Sequence, residues 1–297
     1  MKKKIVAVLK WIRQYVFRII PDKLYLKIIF RIKIGKKLNL KNPKTFNEKL
    51  QWLKLYDRNP EYTELADKYK VRNYVEKIIG EEYLIPLIGV YDKFDDIDFD
   101  KLPNQFVIKC NHDSGNVVIC KDKKTFNFNE ARKKINRAMK YNYFYTGREF
   151  QYKNIERKVI IEKYLNEIDL DTKDYKFFVF NGRFVYSFVC SERSEKVKFT
   201  FFDKQGNFMD VRQGGSDYDK KVQLPKNYKK MIKLAEKLAK GITQVRVDFY
   251  EINGKIFFGE LTFFDGSGFD KFEPYIWDET IGNWLEISKK ESRIKWK

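Results

Sequence analysis

TQVRVDFYEINGKIFFGELTFFDGSGF, residues Thr243–Phe269, is the stretch whose reading decides the fold. Two runs of alternating apolar residues flank Ile252-Asn253-Gly254, the pattern of a β-hairpin closed by a tight turn. Each run carries an acid at its centre, Asp248 in one and Glu260 in the other, although acids are depleted in strands. Alternation puts Arg246, Asp248 and Tyr250 on one face, and groups Glu260 with Phe258 and Thr262 on a face of the partner strand. Loop length decides whether the acids meet. A two-residue Asn253-Gly254 loop sets Val247 opposite Glu260 and sends the acids to opposite sides. A three-residue loop, with Gly254 left-handed, brings them to the same side. Two facing carboxylates repel unless a cation lies between them. Mg²⁺ takes one or two carboxylates and completes its shell with phosphate oxygens, and Arg246 on the same face would neutralise phosphate charge. The plainer alternative is a solvated hairpin face whose acids pair with lysines.

The rest of the chain sets the context. Its 297 residues can bury a large core, and 26 Phe with 19 Tyr argue against disorder. The net charge of +20 is uneven: residues 1–41 hold 13 Lys or Arg against one acid, Asp22, so the remaining body is only mildly basic. Cys110, Cys120 and Cys190 show no CxxC spacing, which fits core packing in a reducing compartment. The single histidine, His112, excludes His-rich metal sites and argues against a histidine-based triad; it reads as a polar loop residue. No apolar run reaches the length of a membrane span, and no small-residue cleavage site marks a signal peptide. There is neither GxxxxGK[ST] nor a strand-GxGxxG-helix.

Along the N-terminus, Ile5, Leu9, Ile12, Val16 and Ile19 follow helical spacing among basic residues until Pro21. Residues 1–41 therefore read either as an interfacial segment drawn to the anionic inner membrane surface or as a helix packed on the body. A nucleic-acid arm is not expected, since no nucleic-acid module accompanies the charge. Residues 42–100 read as helical: Thr45 and Glu48 form a capping box, and ADKYKVRNYVEKIIG is a helix closed by Gly80. Beyond them lie strands at 105–110, 116–120, 158–165, 174–180, 183–190, 198–203, 244–250 and 255–264, with helices at 128–141 and 225–241. Strands joined mainly by tight turns predict an antiparallel α+β body.

Taken in order, ADKYKVRNYV, FVIKCNHDSGNVVI, VIIEKYL, DYKFFVFNG, VRVDF and GELTF resemble the ATP-grasp superfamily, and most closely its TupA-like branch, from about Pro43 to Phe272. The resemblance implies an α+β ATP-grasp fold, two subdomains gripping ATP between antiparallel sheets. Its divisions would be a basic segment (1–41), a helical region (42–100), a small subdomain with a phosphate flap (101–165) and a large subdomain with the metal site (166–297). It implies Lys68 and Lys109 as phosphate lysines, and Ser114 and Gly115 in a phosphate-binding loop. Glu162 and the backbone of Lys163, Tyr164 and Leu165 would hold adenine, with Glu167 reaching the ribose. Lys176 would contact substrate or phosphate, Arg246 would be the catalytic arginine, and Asp248 and Glu260 would bind Mg²⁺. Thr262 stands where many relatives place an Asn ligand, and the following DGSGF is either a substrate loop or a turn.

The activity implied is ATP-dependent carboxylate–amine ligation through an acyl phosphate. The branch points to a cell-envelope polysaccharide, such as a uronic acid joined to an amino acid, handled in the cytoplasm or at the inner face of the membrane. The rival is a glycosyltransferase of capsule or lipopolysaccharide synthesis, whose DxD motif would have to be Asp169–Asp171.

Overall fold

In the computed structural model, residues 17–165, 172–192 and 196–288 are described. The helical periodicity of Ile5–Val16, Glu167 and the Asp169–Asp171 motif lie outside the described residues.

The described chain begins with a short 3₁₀ turn and then helix α1 (Asp22–Ile34). Pro21 is the N-cap residue of α1, which closes on left-handed Gly35. Helix α2 (Phe46–Tyr56) opens on the expected capping box: the Thr45 side chain accepts from the Glu48 amide, and the Glu48 carboxylate accepts from the Thr45 amide. Helices α3 (Glu61–Ala66) and α4 (Val71–Ile79) follow. Ala66–Gly80 is not the one helix its sequence suggests: the Asp67 carboxylate accepts from the amides of Tyr69 and Lys70, turning the chain and leaving Lys68 between two helices.

Next come β1 (Leu87–Tyr91), β2 (Phe106–Cys110), β3 (Val117–Cys120), α5 (Phe128–Met139), α6 (Phe144–Gly147) and β4 (Val159–Lys163). β1 falls in the stretch read as helical. It is short and half-buried, and pairs with β4 in a four-stranded antiparallel sheet of order β1-β4-β2-β3. Helix α5 lays Ala131, Ile135 and Ala138 against Ile108, Val159 and Ile161 of this sheet.

The second sheet holds β5 (Asp174–Phe180), β6 (Arg183–Ser191), β7 (Lys198–Phe202), β8 (Phe208–Met209), β10 (Gln244–Ile252) and β11 (Lys255–Thr262), in the antiparallel order β11-β10-β5-β6-β7-β8. Strand β9 (Arg212–Gln213) pairs separately with β12 (Phe272–Glu273); α7 (Tyr228–Leu238) and α8 (Ile276–Trp284) are the remaining α-helices of the described residues. Period-two alternation on β5 assigns the layers. Phe177 turns to Tyr228 of α7, at 5.5 Å between ring centroids. Phe178 and Phe180 turn the other way, onto Phe46 of α2. Lys176 shares that second face, which α2 covers only in part. The three cysteines are unpaired and buried, as their spacing predicted.

Candidate functional site

β10 and β11 are joined by Asn253-Gly254 alone, with Ile252 paired to Lys255. Both loop residues have positive φ, 50° and 76°, as the favoured two-residue hairpin turn requires. Continued without a break, this register would set Val247 against Glu260. It does not continue: Phe249 pairs with Phe258 and Asp248 pairs with Glu260, leaving Gly259 as an extra residue. This β-bulge reverses the alternation beyond it, so both acids share one face. Glycine suits the position, because a Cβ there would stand 3.1 Å from the Asp248 carbonyl oxygen. The acids meet through a bulge, and the three-residue loop is not used.

On its other side Asp248 pairs with Lys176 of β5. Lys176, Asp248 and Glu260 thus form a row across three strands, and Phe178, Arg246 and Thr262 form the next. The Lys176 ammonium donates to Asp174 Oδ2 at 2.7 Å and to Asp248. Arg246 clasps Asp248 in bidentate fashion, Nε to Oδ1 and Nη2 to Oδ2, each 2.7 Å. Its Nη2 also donates to Glu260 Oε1 and Thr262 Oγ1, each at 3.1 Å, and its Nη1 donates to Asp265. The three side chains expected around a metal therefore converge on one cationic nitrogen.

Burial raises the Asp248 carboxyl, against the pull of Arg246 and Lys176. Glu260 goes the other way. Burial opposes its charge, but Lys68, Arg246, Lys176 and the Thr262 hydroxyl together bring it down to about 2. Arg246 is held well above its usual value despite burial, by Asp248 first and then Asp265 and Glu260. Lys176 is raised too: burial and Arg246 oppose its charge, and Asp174, Asp248 and Glu260 outweigh them.

These donors fit Mg²⁺. Two carboxylates and a hydroxyl already surround one positive centre, and Mg²⁺ needs only one or two carboxylates when phosphate supplies the rest. Among the described residues no group of three or more His, Cys, Asp or Glu side chains is arranged to hold a metal, so a bound Mg²⁺ would draw its remaining ligands from phosphate oxygens or water.

A cleft opens between the four-stranded sheet and the bulged hairpin. Lys68, Lys109, Glu162, Lys163, Tyr164 and Leu165 line it, and Tyr250, Phe258 and Gly259 form the opposite wall. Lys109 Nζ sits 2.7 Å from Glu162 Oε2. Arg72 also faces Glu162, at 3.5 Å, and donates to the Ile85 carbonyl. Sequence reasoning missed Arg72; its only signal was a place four residues beyond Lys68. Lys68 joins cleft to acids: it lines the cleft, donates to the Asp113 carbonyl and stands 4.0 Å from Glu260 Oε2.

Ser114 and Gly115 are exposed at the tip of the β2–β3 connection, with Gly115 at φ 85°. Asn111, fully buried, anchors the base of that connection. Its carbonyl accepts from the Lys68 amide, and its side chain bonds Lys158 N and Glu156 O, each at 2.8 Å. His112 lies in the same connection, as a polar loop residue, but it is buried, only 2% exposed, and burial lowers its pKa.

The turn at Asp265–Gly268 is bound to α2. Ser267 and Gly268 carbonyls accept from Gln51, and Lys54 Nζ donates to Ser267 O at 2.6 Å and Gly147 O at 2.8 Å. Asp265, which the sequence left undecided, thereby becomes a fixed partner of Arg246.

The family model for TupA-like ATP-grasp proteins matches residues 48–286. The chain belongs to the TupA-like ATP-grasp family. The α+β expectation stands with it. No curated protein matches the chain. Among solved structures, it is similar to the D-alanine–D-alanine ligase of Bacillus anthracis at 19% identity and TM-score 0.38, covering 67% of this chain and 57% of that one. The corresponding ligase of Helicobacter pylori gives 15% identity and TM-score 0.43, with 81% and 68% covered. A RimK domain ATP-grasp protein of Sphaerobacter thermophilus gives 13% and 0.40, with 75% and 69% covered. The ATP-grasp chain described here thus spans little more than half of the Bacillus anthracis ligase.

Proposed function

We propose that this ATP-grasp protein is a carboxylate–amine ligase that uses ATP and Mg²⁺. The observation that carries the reading is the convergence of Asp248, Glu260 and Thr262 on one cationic nitrogen, with Lys68 running from that cluster into the cleft. In this reading the division of the chain is the one expected from sequence, with the flap in 101–165 and the metal site in 166–297.

The chemistry needs a leaving group, since a carboxylate is a poor electrophile. An oxygen of the acceptor carboxylate attacks the γ-phosphorus of ATP, the bond to the β-phosphate oxygen breaks, and ADP leaves. An amine then attacks the acyl carbon, the acyl C–O bond breaks, phosphate departs and the nitrogen loses a proton. Glu162 and the backbone of Lys163–Leu165 would hold the adenine edge, with Tyr250 and Phe258 as apolar walls. Lys68, Lys109 and the amides around Ser114 and Gly115 would hold phosphates. Asp248, Glu260 and Thr262 would hold Mg²⁺, which when bound neutralises phosphate charge. Arg246 and Lys176, fixed by four carboxylates, would meet the charge on the transferring group. The reading needs no protein nucleophile, in keeping with buried cysteines and a buried His112.

The acceptor class we infer is an acidic glycan of the cell envelope, such as a uronic acid to be joined to an amino acid at the inner face of the membrane. The basic balance of the chain favours such an anionic acceptor. The test is incubation with labelled ATP and candidate uronic acids, with and without amino acids. Stoichiometric ADP and amide are expected; ADP release indifferent to every carboxylate would refute the ligase reading.

A further inference from the structure

Helix α1 is apolar on two sides. One side seals the fold: Tyr25, Leu26, Phe30 and Ile34 are buried with Leu38, and Tyr25 donates to the Thr146 carbonyl. The other side faces solvent with Leu24, Ile28 and Ile32, which are 51%, 43% and 69% exposed. Their spacing of four lines them up in one row. Lys23, Lys27 and Arg31 form the adjoining row, and all three are exposed. Ile19, 86% exposed in the preceding turn, lies further back along the chain. Between Phe17 and Lys41 the single acid is Asp22, and it is engaged by Arg58 and Arg148. An apolar row beside a wholly cationic row fits a surface that is hydrocarbon below and anionic above. A protein partner would more often be met by acids as well as bases.

We propose that the exposed face of α1 docks this protein on an anionic lipid bilayer, with Leu24, Ile28 and Ile32 entering the headgroup boundary and Lys23, Lys27 and Arg31 facing lipid phosphates. This rests on the reading that the acceptor is made at the membrane, and it adds which helix touches lipid and what it presents there. The helix is tied to the Asp265–Gly268 turn. Phe269, directly after the Asp265–Gly268 turn, packs in the α1 cluster. Arg148 holds the carbonyl of Phe17 and stacks over the Tyr25 ring at 4.5 Å, and the carbonyl of neighbouring Gly147 accepts from Lys54, which also holds Ser267. Docking through α1 therefore sets the Asp265 turn, and with it Arg246, at a fixed place relative to the bilayer, where an acceptor carried on a lipid would be presented.

The test is co-sedimentation of the full chain with vesicles of phosphatidylcholine alone and of phosphatidylcholine with phosphatidylglycerol. Binding is expected only to the anionic vesicles. The variant Leu24→Ser/Ile28→Ser/Ile32→Ser should bind them at least about tenfold more weakly, and Lys23→Gln/Lys27→Gln/Arg31→Gln should lose the preference for anionic lipid. Ile28→Glu/Ile32→Glu is a second form of the apolar test, at positions already in solvent. Titration with MgATP in the absence of lipid should be unchanged in all three variants, so a failed ligase reading and a failed docking surface are told apart. Wild-type affinity in the triple-serine variant would overturn the proposal. So would a wild-type dimer that the serine substitutions dissociate, since a second copy would then own the face. Binding abolished by removing residues 1–16 but untouched by the α1 variants would overturn it as well.

Discussion

Asp248 stands directly across from Glu260, although the two-residue turn that joins their strands would set Val247 in that place; Gly259, extruded as a bulge, makes the difference. One residue of slip decides whether the two acids share one face of this hairpin or lie on opposite faces. Gly259→Ala therefore tests more than packing. Its Cβ would press on the Asp248 carbonyl and the Tyr250 ring. We expect a loss of about 1–3 kcal/mol in stability and a fall in ATP turnover out of proportion to it. Thermal melting with ADP-release assays would check this, and full turnover would show that the bulge is not needed.

Glu260→Gln removes one charge from the shared position while keeping the shape. Glu260 is already ionised at any working pH, its carboxyl brought down to about 2, so the substitution changes charge and not protonation. ADP release should fall by at least about a hundredfold with an unchanged circular dichroism spectrum. Asp248→Asn should do the same but also cost stability, because Arg246 and Lys176 both lose a charged partner in a buried setting.

Lys109→Met and Arg72→Met separate two roles around Glu162. Lys109 is expected to touch phosphate, so its loss should weaken ATP more than adenosine. Arg72 contacts Glu162 and Ile85, so its loss should weaken both ligands alike. Each effect should be about tenfold in Kd, the scale of one charge-assisted hydrogen bond. Comparative titrations of ATP and adenosine would distinguish them.

Lys54 is wholly buried. Burial brings it down to about 7, against the opposing charge of Glu149, whose own carboxyl burial raises. Lys54→Met should destabilise the protein by about 3–5 kcal/mol, because Glu149 is left without its cation. Lys54→Met/Glu149→Leu should recover part of that. Additive losses in denaturant titrations would mean the two charges are not coupled.

Asp270 gives a pH dependence. Burial, and then the charge of Asp265, pushes its carboxyl up to about 6 from the ordinary 3.8. With a folded value above the unfolded one, the unfolded chain holds fewer protons between these limits. Stability from this group therefore falls as pH rises from about 4 to 6, and stays low above that. Asp270→Asn should stabilise the protein at pH 7.5 by at most about 3 kcal/mol and leave it unchanged near pH 3.5. Equal melting shifts at both pH values would contradict this.

Much of this was legible in the sequence because it is written in local terms. Thr45 and Glu48 announce their own helix start, and eight strands showed themselves by alternation or by unbroken Phe and Val. Most of the misses are non-local. β1 is a short half-buried edge strand with no alternation to read, and it exists because β4 offers it a partner. The break at Asp67 depends on a side chain choosing nearby amides over a helix. Arg72 and Asp265 join the site only through tertiary contacts. The bulge does leave a sign, since a glycine inside a strand pattern marks such a place, but loop length alone does not reveal it.

The most direct test of the central claim is calorimetric titration of the wild-type chain and of Glu260→Gln with ATP, in Mg²⁺ and in EDTA. One site per chain is expected in the wild type, tightened by Mg²⁺ through a contribution that Glu260→Gln removes. No ATP binding by the wild type, or binding equally strong in both proteins with and without Mg²⁺, would contradict it.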